Sequence, residues 1–348
     1  MKPHTGPTLT ILIVSYKSID DLKRCLPSIY RQPNSAKFEV LIVDNYPFDG
    51  VKSWLAHTYP DARYIPNPTN SGYAGGNNLG LQQAAGEWVL FLNPDTELGP
   101  NAISCLLETA RLYPKAFLNP KLLNPDGTIN ACGNQMHYTG ITTCRAINEP
   151  GSTHNTLEEV PLLSGAALMA PTEAVRELGG FNEAHFMYFE DADLSLRARL
   201  AGYALLCDGR SVITHYYRLG MTPTKFYYLE RNRVLTLLRT LSATTRQRML
   251  PALLLTELLT WLFAFRGIAY LKSRARAYRW LWSNREWIGK QNRQIQATRQ
   301  ISDADLLASA STRLPVDQLA SGAVSKLANQ LLTAIYSWLR PTQLTTKP

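Results

Sequence analysis

Short, mainly apolar runs recur between stretches of helical periodicity through the first hundred residues, and this alternation restricts the chain to a small set of folds. Leu9–Ser15 reads as a buried strand and residues 19–32 as an amphipathic helix. Phe38–Asp44, 49–57, 62–65, 73–85 and Trp88–Leu92 then repeat strand, helix, strand, helix, strand. Strands spaced by helices imply a mostly parallel sheet covered on both faces. Ligands of such sheets sit outside the carboxyl ends of the strands. The positions to inspect are therefore Ser15-Tyr16, Asp44-Asn45, residues 67–78 and Asn93-Pro94-Asp95.

Residues 101–113 continue with a helix, and 119–133 are turn-rich, with Asn124-Pro125-Asp126-Gly127 as a hairpin signal. Residues 134–160 show no clear period. A strand is expected over 162–169, a helix over 172–178 stopped by Gly179-Gly180, a helix over 191–201 closed by Gly202, and a last strand over 204–208. Beyond residue 225 only helical periodicity remains. The reading is an α/β domain over residues 1–240 followed by a helical region over 241–348.

Charge separates the same two parts. Residues 1–240 hold 21 Lys and Arg against 22 Asp and Glu, whereas residues 241–348 hold 15 against 5. Nucleic acid is the first partner such a balance suggests. Here, however, Lys272, Arg274, Arg276, Arg279 and Arg285 interleave with Tyr278, Trp280, Trp282 and Trp287 beside the apolar segment 249–265, which fits an anionic membrane surface better. That segment contains Glu257 and falls short of the roughly 20 residues of a spanning helix, so it is expected to lie in the interface or to pack on the protein. Leu327, Leu331, Ile335 and Leu339 form an i, i+4 stripe on a further helix. A homo-oligomer interface is the other use for these helices. The five cysteines, Cys25, Cys105, Cys132, Cys144 and Cys207, form no C-x-x-C pair, and the apolar run 9–14 is too short for a signal segment, so a cytoplasmic protein is expected.

Three segments carry chemistry. The turn Ser15-Tyr16-Lys17-Ser18 lacks the glycines of a dinucleotide fingerprint. The glycine-rich stretch is instead Asn70-Ser71-Gly72-Tyr73-Ala74-Gly75-Gly76-Asn77-Asn78, which either lets backbone approach a ligand or is a flexible entry to a helix. Asn93-Pro94-Asp95 is either a capped turn or a rigid platform for a carboxylate that holds a divalent cation against a diphosphate. In Phe189-Glu190-Asp191-Ala192-Asp193, one acid serves a helix start, and Asp191, following buried aromatics, is the favoured general base.

Taken in order, Ile13-Val14-Ser15-Tyr16, Val43-Asp44-Asn45, residues 70–78, Leu92-Asn93-Pro94-Asp95, Ser164-Gly165-Ala166, Gly179-Gly180-Phe181, Phe189-Glu190-Asp191 and His215 resemble the inverting family 2 glycosyltransferases, especially their rhamnosyltransferase-like members. The resemblance covers residues 8–240 and implies a GT-A fold: an α/β nucleotide-sugar-binding domain with a mostly parallel sheet. It implies that Asp44 reads a pyrimidine base, that Asp95 with His215 holds a divalent metal (Mg or Mn) and the diphosphate, and that the catalytic pair Glu190-Asp191 supplies the base. Donor contacts fall on Ser15, Tyr16, Asp44, Asn45, Asn70, Gly72, Gly75, Gly76, Asn77, Asn93 and Asp95. Asn93 departs from the Asp-x-Asp pattern of many relatives.

The function so implied is inverting transfer of a sugar, with dTDP-rhamnose as the suggested donor, onto a hydroxyl of a lipid-linked or cell-surface glycan at the inner face of the cell membrane. A sugar-nucleotide pyrophosphorylase is the alternative enzyme, but it needs a basic triphosphate loop where only Lys17 stands. An inactive nucleotide-sugar-binding scaffold is the other alternative, and the intact Glu190-Asp191 pair speaks against it.

Overall fold

The computed structural model describes residues 7–33, 37–217, 220–314 and 323–341, with side chains from 327 in the last stretch. The first half of the chain runs β1 (Leu9–Ser15), α1 (Ile19–Tyr30), β2 (Phe38–Asp44), α2 (Val51–Thr58), β3 (Arg63–Pro66), α3 (Gly72–Leu81), β4 (Trp88–Leu92), β5 (Thr96–Leu98), α4 (Ala102–Leu112), β6 (Ala116–Leu123), β7 (Ile129–Ala131), β8 (Asn134–Met136), β9 (Thr142–Cys144) and β10 (Leu157–Glu159). It continues with β11 (Ala167–Pro171), α5 (Thr172–Glu177), α6 (Glu190–Leu200) and β12 (Ala204–His215). Helices follow: α7 (Pro223–Thr240), α8 (Ala243–Arg248), α9 (Leu250–Ala264), α10 (Ile268–Ser283), α11 (Arg285–Thr298), α12 (Asp303–Leu307) and α13 (Ala323–Leu339).

Every residue of β1 is buried, which a strand achieves only with both faces covered. Leu9, Ile11 and Ile13 pack to one side with Leu22 and Leu26 of α1, Val51 of α2 and Leu106 of α4. Leu12 and Val14 pack to the other with Ala74 and Leu81 of α3, Val175 of α5, and Leu194 and Ala198 of α6. Each fully buried Leu or Val contributes about 1.5–3 kcal/mol, so the two-sided alternation is the main local determinant of the layer order.

The sheet order is β10-β12-β6-β11-β4-β1-β2-β3, with β5 on β12 and β7 on β6. The pairs β1–β2, β1–β4, β2–β3 and β6–β12 are parallel and hold most of the register, while β11 runs antiparallel to β4 and β6. Two strands exceed the sequence expectation. β6 occupies part of the stretch read as turns, because its Asn119, Pro120 and Lys121 satisfy themselves: Asn119 donates to Ser164 O and Ala167 O, and the Lys121 ammonium donates to Gly151 O and Thr153 O. β6 meets β11 through Leu118 and Met169, so Pro120 withholds no N–H from that ladder. β12 was expected to end at Asp208 and continues past an irregularity between Asp208 and Val212 as far as His215. Conversely, the strand expected over 162–169 begins at Ala167, leaving 162–166 as a loop. The hairpin at Asn124–Gly127 forms as read, joining antiparallel β6 and β7.

The chain divides into two compact units, one comprising residues 1–134, 144–198 and 203–219, the other 135–143, 199–202 and 220–348. The sequence reading set the boundary at Thr240. α7 falls in the second unit because α10 and α11 pack along it.

That second unit is built around a buried ionic cluster. Arg233 of α7 donates to Glu230 (3.1 Å) and to Glu257 of α9 (2.6 Å), and Arg274 of α10 bridges the same two carboxylates. Glu257, the one acid in the apolar segment, thus faces inward. Arg274 is only 1% exposed and so is withdrawn from the set of bases expected at a membrane surface. Among the described residues no helix is long and apolar enough to cross a membrane.

Candidate active site

The residues singled out by sequence meet at the carboxyl edge of the sheet. Ser15 and Asp44 are register partners at the ends of β1 and β2. Ser15 is fully buried and shares a hydroxyl hydrogen bond with Ser18, so it fixes the turn. Tyr16 is half exposed, meets Tyr46 edge to face at 5.9 Å, and Lys17 Nζ lies 4.5 Å from the Tyr46 ring centre. Asp44 accepts the Tyr46 N–H and the Tyr64 hydroxyl, each at 3.0 Å, while burial pushes its carboxyl above the usual range. Asn45 donates to Gly72 O at 2.9 Å and accepts from Asn67 at 2.7 Å.

The glycine-rich segment is the first part of a helix, not a flexible loop. Asn70 Oδ1 accepts the Gly72 N–H at 2.9 Å as α3 begins. A Cβ on Gly76 would stand 2.7 Å from Val14 Cγ1, and one on Gly75 would stand 2.6 Å from Ser71 Cβ. Gly75, Gly76 and Asn77 are buried, and the bare Gly76 lets α3 press on Val14 of β1. Gly72 has another task. It sits at φ 70°, and a Cβ there would lie 2.3 Å from Phe186 O, which also accepts the Ala74 N–H.

Phe186, Tyr188 and Phe189 all hold positive φ, from 64° to 71°. Left-handed backbone costs a non-glycine residue about 1–2 kcal/mol and gathers at functional sites. This strained stretch delivers the three acids at the start of α6, which then part ways. Asp193 is fully buried and paired with Arg197 at 2.7 Å, and Arg197 also donates to Leu178 O and Gly180 O, so this acid ties α6 to the loop before it. Asp191 is partly exposed; its carboxylate accepts the Gly165 N–H at 2.9 Å and the Ala192 N–H at 2.7 Å. Glu190 is buried, and its Oε2 has no hydrogen-bond partner among the described residues. Burial and the Asp191 charge push Glu190 well above the ordinary glutamate range, and burial raises Asp191 against the pull of its two N–H donors. Side by side, such carboxyls favour one proton between them.

Asp95 and His215, 120 positions apart, are joined because β5 pairs antiparallel with β12, placing Thr96 opposite His215. His215 Nε2 lies 3.4 Å from Asp95 Oδ1, and neither atom has a hydrogen-bond partner among the described residues. The other imidazole nitrogen, Nδ1, donates to Asn130 Oδ1 at 3.2 Å, an orientation fixed by Asn130 Nδ2 donating to Asn124. In this arrangement Nε2 is turned toward a carboxylate oxygen. A cation fits between such groups. Among the described residues no cluster of three or more His, Cys, Asp or Glu is suited to a metal. Asn93 uses its backbone to hold the turn, its N–H donating to Ala166 O and its carbonyl accepting from Thr96.

Sequence reasoning passed over the residue that links these parts. Tyr73 donates to Gly165 O at 2.5 Å, and its phenol feels the charges of Glu190, Asp191 and Asp95. Gly165, quoted only as part of a motif, places its N–H on Asp191, and a Cβ there would stand 3.2 Å from Asp191 Cβ. Asp21 on α1 is raised by burial and then by the Asp95 charge, and Tyr217 stacks on His215 at 5.5 Å while bonding to Tyr188. Tyr73 had been quoted only as part of the glycine-rich stretch, with no role of its own, and neither Asp21 nor Tyr217 had been singled out.

Residues 10–179 match the family model described as Glycosyl transferase family 2. An N-acetylglucosaminyl-diphospho-decaprenol L-rhamnosyltransferase of Mycobacterium tuberculosis is 30% identical over 233 residues, 60% of this chain and 76% of the relative. The low-salt glycan biosynthesis hexosyltransferase Agl10 of Haloferax volcanii is 32% identical over 200 residues, 55% of this chain and 61% of the relative. The fold resembles the crystal structure of GalNAc-T7 with UDP, GalNAc and Mn2+, with a TM-score of 0.56 and 17% identity over 67% of this chain and 48% of that one. A GT-A sheet whose carboxyl edge gathers these acids, together with a relative matched over three quarters of its length, places the chain in glycosyltransferase family 2 as a glycosyltransferase.

Proposed function

We propose that the enzyme transfers a sugar with inversion from a nucleotide-sugar donor, dTDP-rhamnose being the first candidate, to a hydroxyl of a lipid-linked or cell-surface glycan at the inner face of the cell membrane. The observation that carries this reading is the pairing of two differently equipped stations around Tyr73: the adjacent acids Glu190 and Asp191, and the Asp95–His215 pair, whose facing Oδ1 and Nε2 have no hydrogen-bond partner among the described residues. Asp191, whose carboxylate is held by two N–H donors, accepts the acceptor's hydroxyl proton. The freed oxygen attacks the anomeric carbon as the bond from that carbon to the diphosphate oxygen breaks, so the nucleoside diphosphate leaves with the bonding pair. Glu190, raised first by burial and then by the Asp191 charge, is the harder of the two to ionise, which leaves Asp191 as the base.

Asp95 and His215 are the residues that would hold Mg or Mn, and such a cation, when bound, supplies positive charge against the diphosphate. Tyr16, Asn45, Asn70, Gly72 and Asn93 border the donor. Asp44 reads the base only if a pyrimidine N–H replaces the Tyr64 hydroxyl at its carboxylate. The L-rhamnosyltransferase relative favours rhamnose, and its prenyl-diphosphate acceptor favours a lipid-linked glycan. Sugar transfer rather than pyrophosphorolysis also agrees with Lys17 being spent on aromatic rings.

Thermal shifts with a panel of nucleotide sugars, each with Mn2+ and with chelator, test the reading. One thymidine or uridine diphosphate sugar is expected to raise the melting temperature, and both chelator and His215→Ala to weaken that rise. A panel without response, or a rise indifferent to chelator and to His215→Ala, contradicts the donor or the metal assignment respectively.

A further inference from the structure

α9 carries its polarity the reverse of a helix packed in a water-soluble protein. Its inward side holds Ala252, Thr256, Ala264 and the ion-paired Glu257, while Leu250, Leu254, Leu258, Leu262 and Phe265 point outward with 51–69% of their surfaces exposed. Their spacing of four, four, four and three residues makes one ridge along the helix. Exposed Arg248 precedes the ridge and exposed Arg266 follows it, and α10 adds exposed Lys272, Arg276 and Arg279. α13, joined to α9 by a 2.8 Å hydrogen bond between Tyr336 and Thr256, repeats the inversion: it buries Asn329 and exposes Leu327, Leu331 and Trp338.

We propose that the outward ridge of α9 is the surface this protein inserts into an anionic membrane, with the helix lying in the plane of the bilayer and the flanking bases among the headgroups. The inference rests on the membrane-associated reading above and names the element responsible for it. A span is excluded by length and by charge: 15 residues at 1.5 Å each give about 22 Å against a hydrocarbon core of about 30 Å, and Glu257 is held inward by two arginines. Charge also selects lipid over a second copy of the chain. Glu257 is the single acid of residues 241–284, so ridge-to-ridge pairing in either direction sets bases against bases, whereas phosphatidylglycerol headgroups complement them.

Sedimentation of the full chain with phosphatidylcholine–phosphatidylglycerol vesicles is the test, using Leu254→Ser/Leu258→Ser, both exposed positions, beside the unaltered protein. The protein is expected to pellet at low salt and to be weakened, not released, by high salt; the double variant is expected to partition about tenfold or more less well while keeping its donor-induced thermal shift. Full-length protein that stays in the supernatant at low salt overturns both the ridge and the membrane reading. A double variant that pellets like the parent overturns the ridge alone. A parent that is dimeric without vesicles, with a monomeric double variant, assigns the ridge to self-association and overturns the lipid assignment. None of these results bears on the transferase chemistry, which the unchanged donor response reports separately.

Discussion

Carboxylates wholly or partly withdrawn from solvent occur in both units of this chain, and their surroundings are opposite in kind. In the helical unit, Glu230 and Glu257 face Arg233 and Arg274; burial alone raises the Glu230 carboxyl, and the two guanidinium charges outweigh it, holding the group below its ordinary range. In the α/β unit, Glu190 and Asp191 face each other, no Lys or Arg pairs with either among the described residues, and both are raised, chiefly by burial. Asp193, two positions on, has been given the structural treatment through Arg197. The contrast separates acids neutralised to hold helices together from acids left without a cation in a costly environment that raises them above the ordinary carboxylate range.

The largest effect that breaks this contrast is expected from Arg274→Met. It leaves two buried glutamates sharing Arg233, and losing one partner of a buried ionic group costs about 3–5 kcal/mol. Urea unfolding measures this, and a loss below about 1 kcal/mol would mean the cluster is better hydrated than its burial implies. Tyr73→Phe comes next, acting on the other side of the comparison. Without the hydroxyl, Gly165 is free to shift its N–H away from Asp191; a hydrogen bond worth about 1 kcal/mol translates into roughly fivefold in kcat. The acid limb of the pH–rate profile should move upward, since Asp191 loses a donor that favours its charged form, and an unmoved limb would make Tyr73 a packing residue only.

The smallest effect concerns pH. Because Glu190 is raised in the folded state, its contribution to stability is fully present below the ordinary glutamate value of 4.5 and is lost as pH climbs toward the folded value. Glu190→Gln, which keeps the neutral shape, should therefore raise the melting temperature at pH 7, at roughly 2–4 °C per kcal/mol, with the gain vanishing near pH 4. Glu230 has the opposite sign: depressed in the folded state, its contribution is present above pH 4.5 and lost as pH falls below it. Melting curves of Glu230→Gln and Glu190→Gln across that range should diverge in opposite directions, and parallel curves would erase the distinction.

What the sequence disclosed follows the same physical divide between local and distant partners. β1, β2 and β4 were legible because their central residues obey one pattern, apolar on both faces. β6 was not, since Asn119 and Lys121 look like loop residues until Ser164, Ala167, Gly151 and Thr153 arrive from 30 to 48 positions away. The acids of the site were visible as Asp95 and Glu190-Asp191, whereas the packing role of Asp193 was not read, although Arg197 stands one helical turn away. Tyr73, whose partner lies 92 residues on, carried no local mark. The glycines of residues 72–76 were visible as a need for closeness, but whether to a ligand or to β1 depended on Val14 lying behind Gly76. The leucines of α9 were obvious in composition. Which way they face was set by Glu257, whose arginine partners stand 24 and 17 residues away on other helices.

The central claim is that Asp191 is held unpaired by any cation so that it can take the acceptor's proton. Single-turnover transfer by Asp191→Asn, compared with Asp193→Asn and with the unaltered enzyme once a donor has been identified, addresses it most directly. Asp191→Asn is expected to keep the donor-induced thermal shift and the melting temperature while transfer falls by about 10²–10⁴-fold, whereas Asp193→Asn, which strands Arg197, is expected to lose stability first. Transfer by Asp191→Asn within a few-fold of the unaltered rate, with donor still bound, would contradict the account and remove Asp191 from the chemistry.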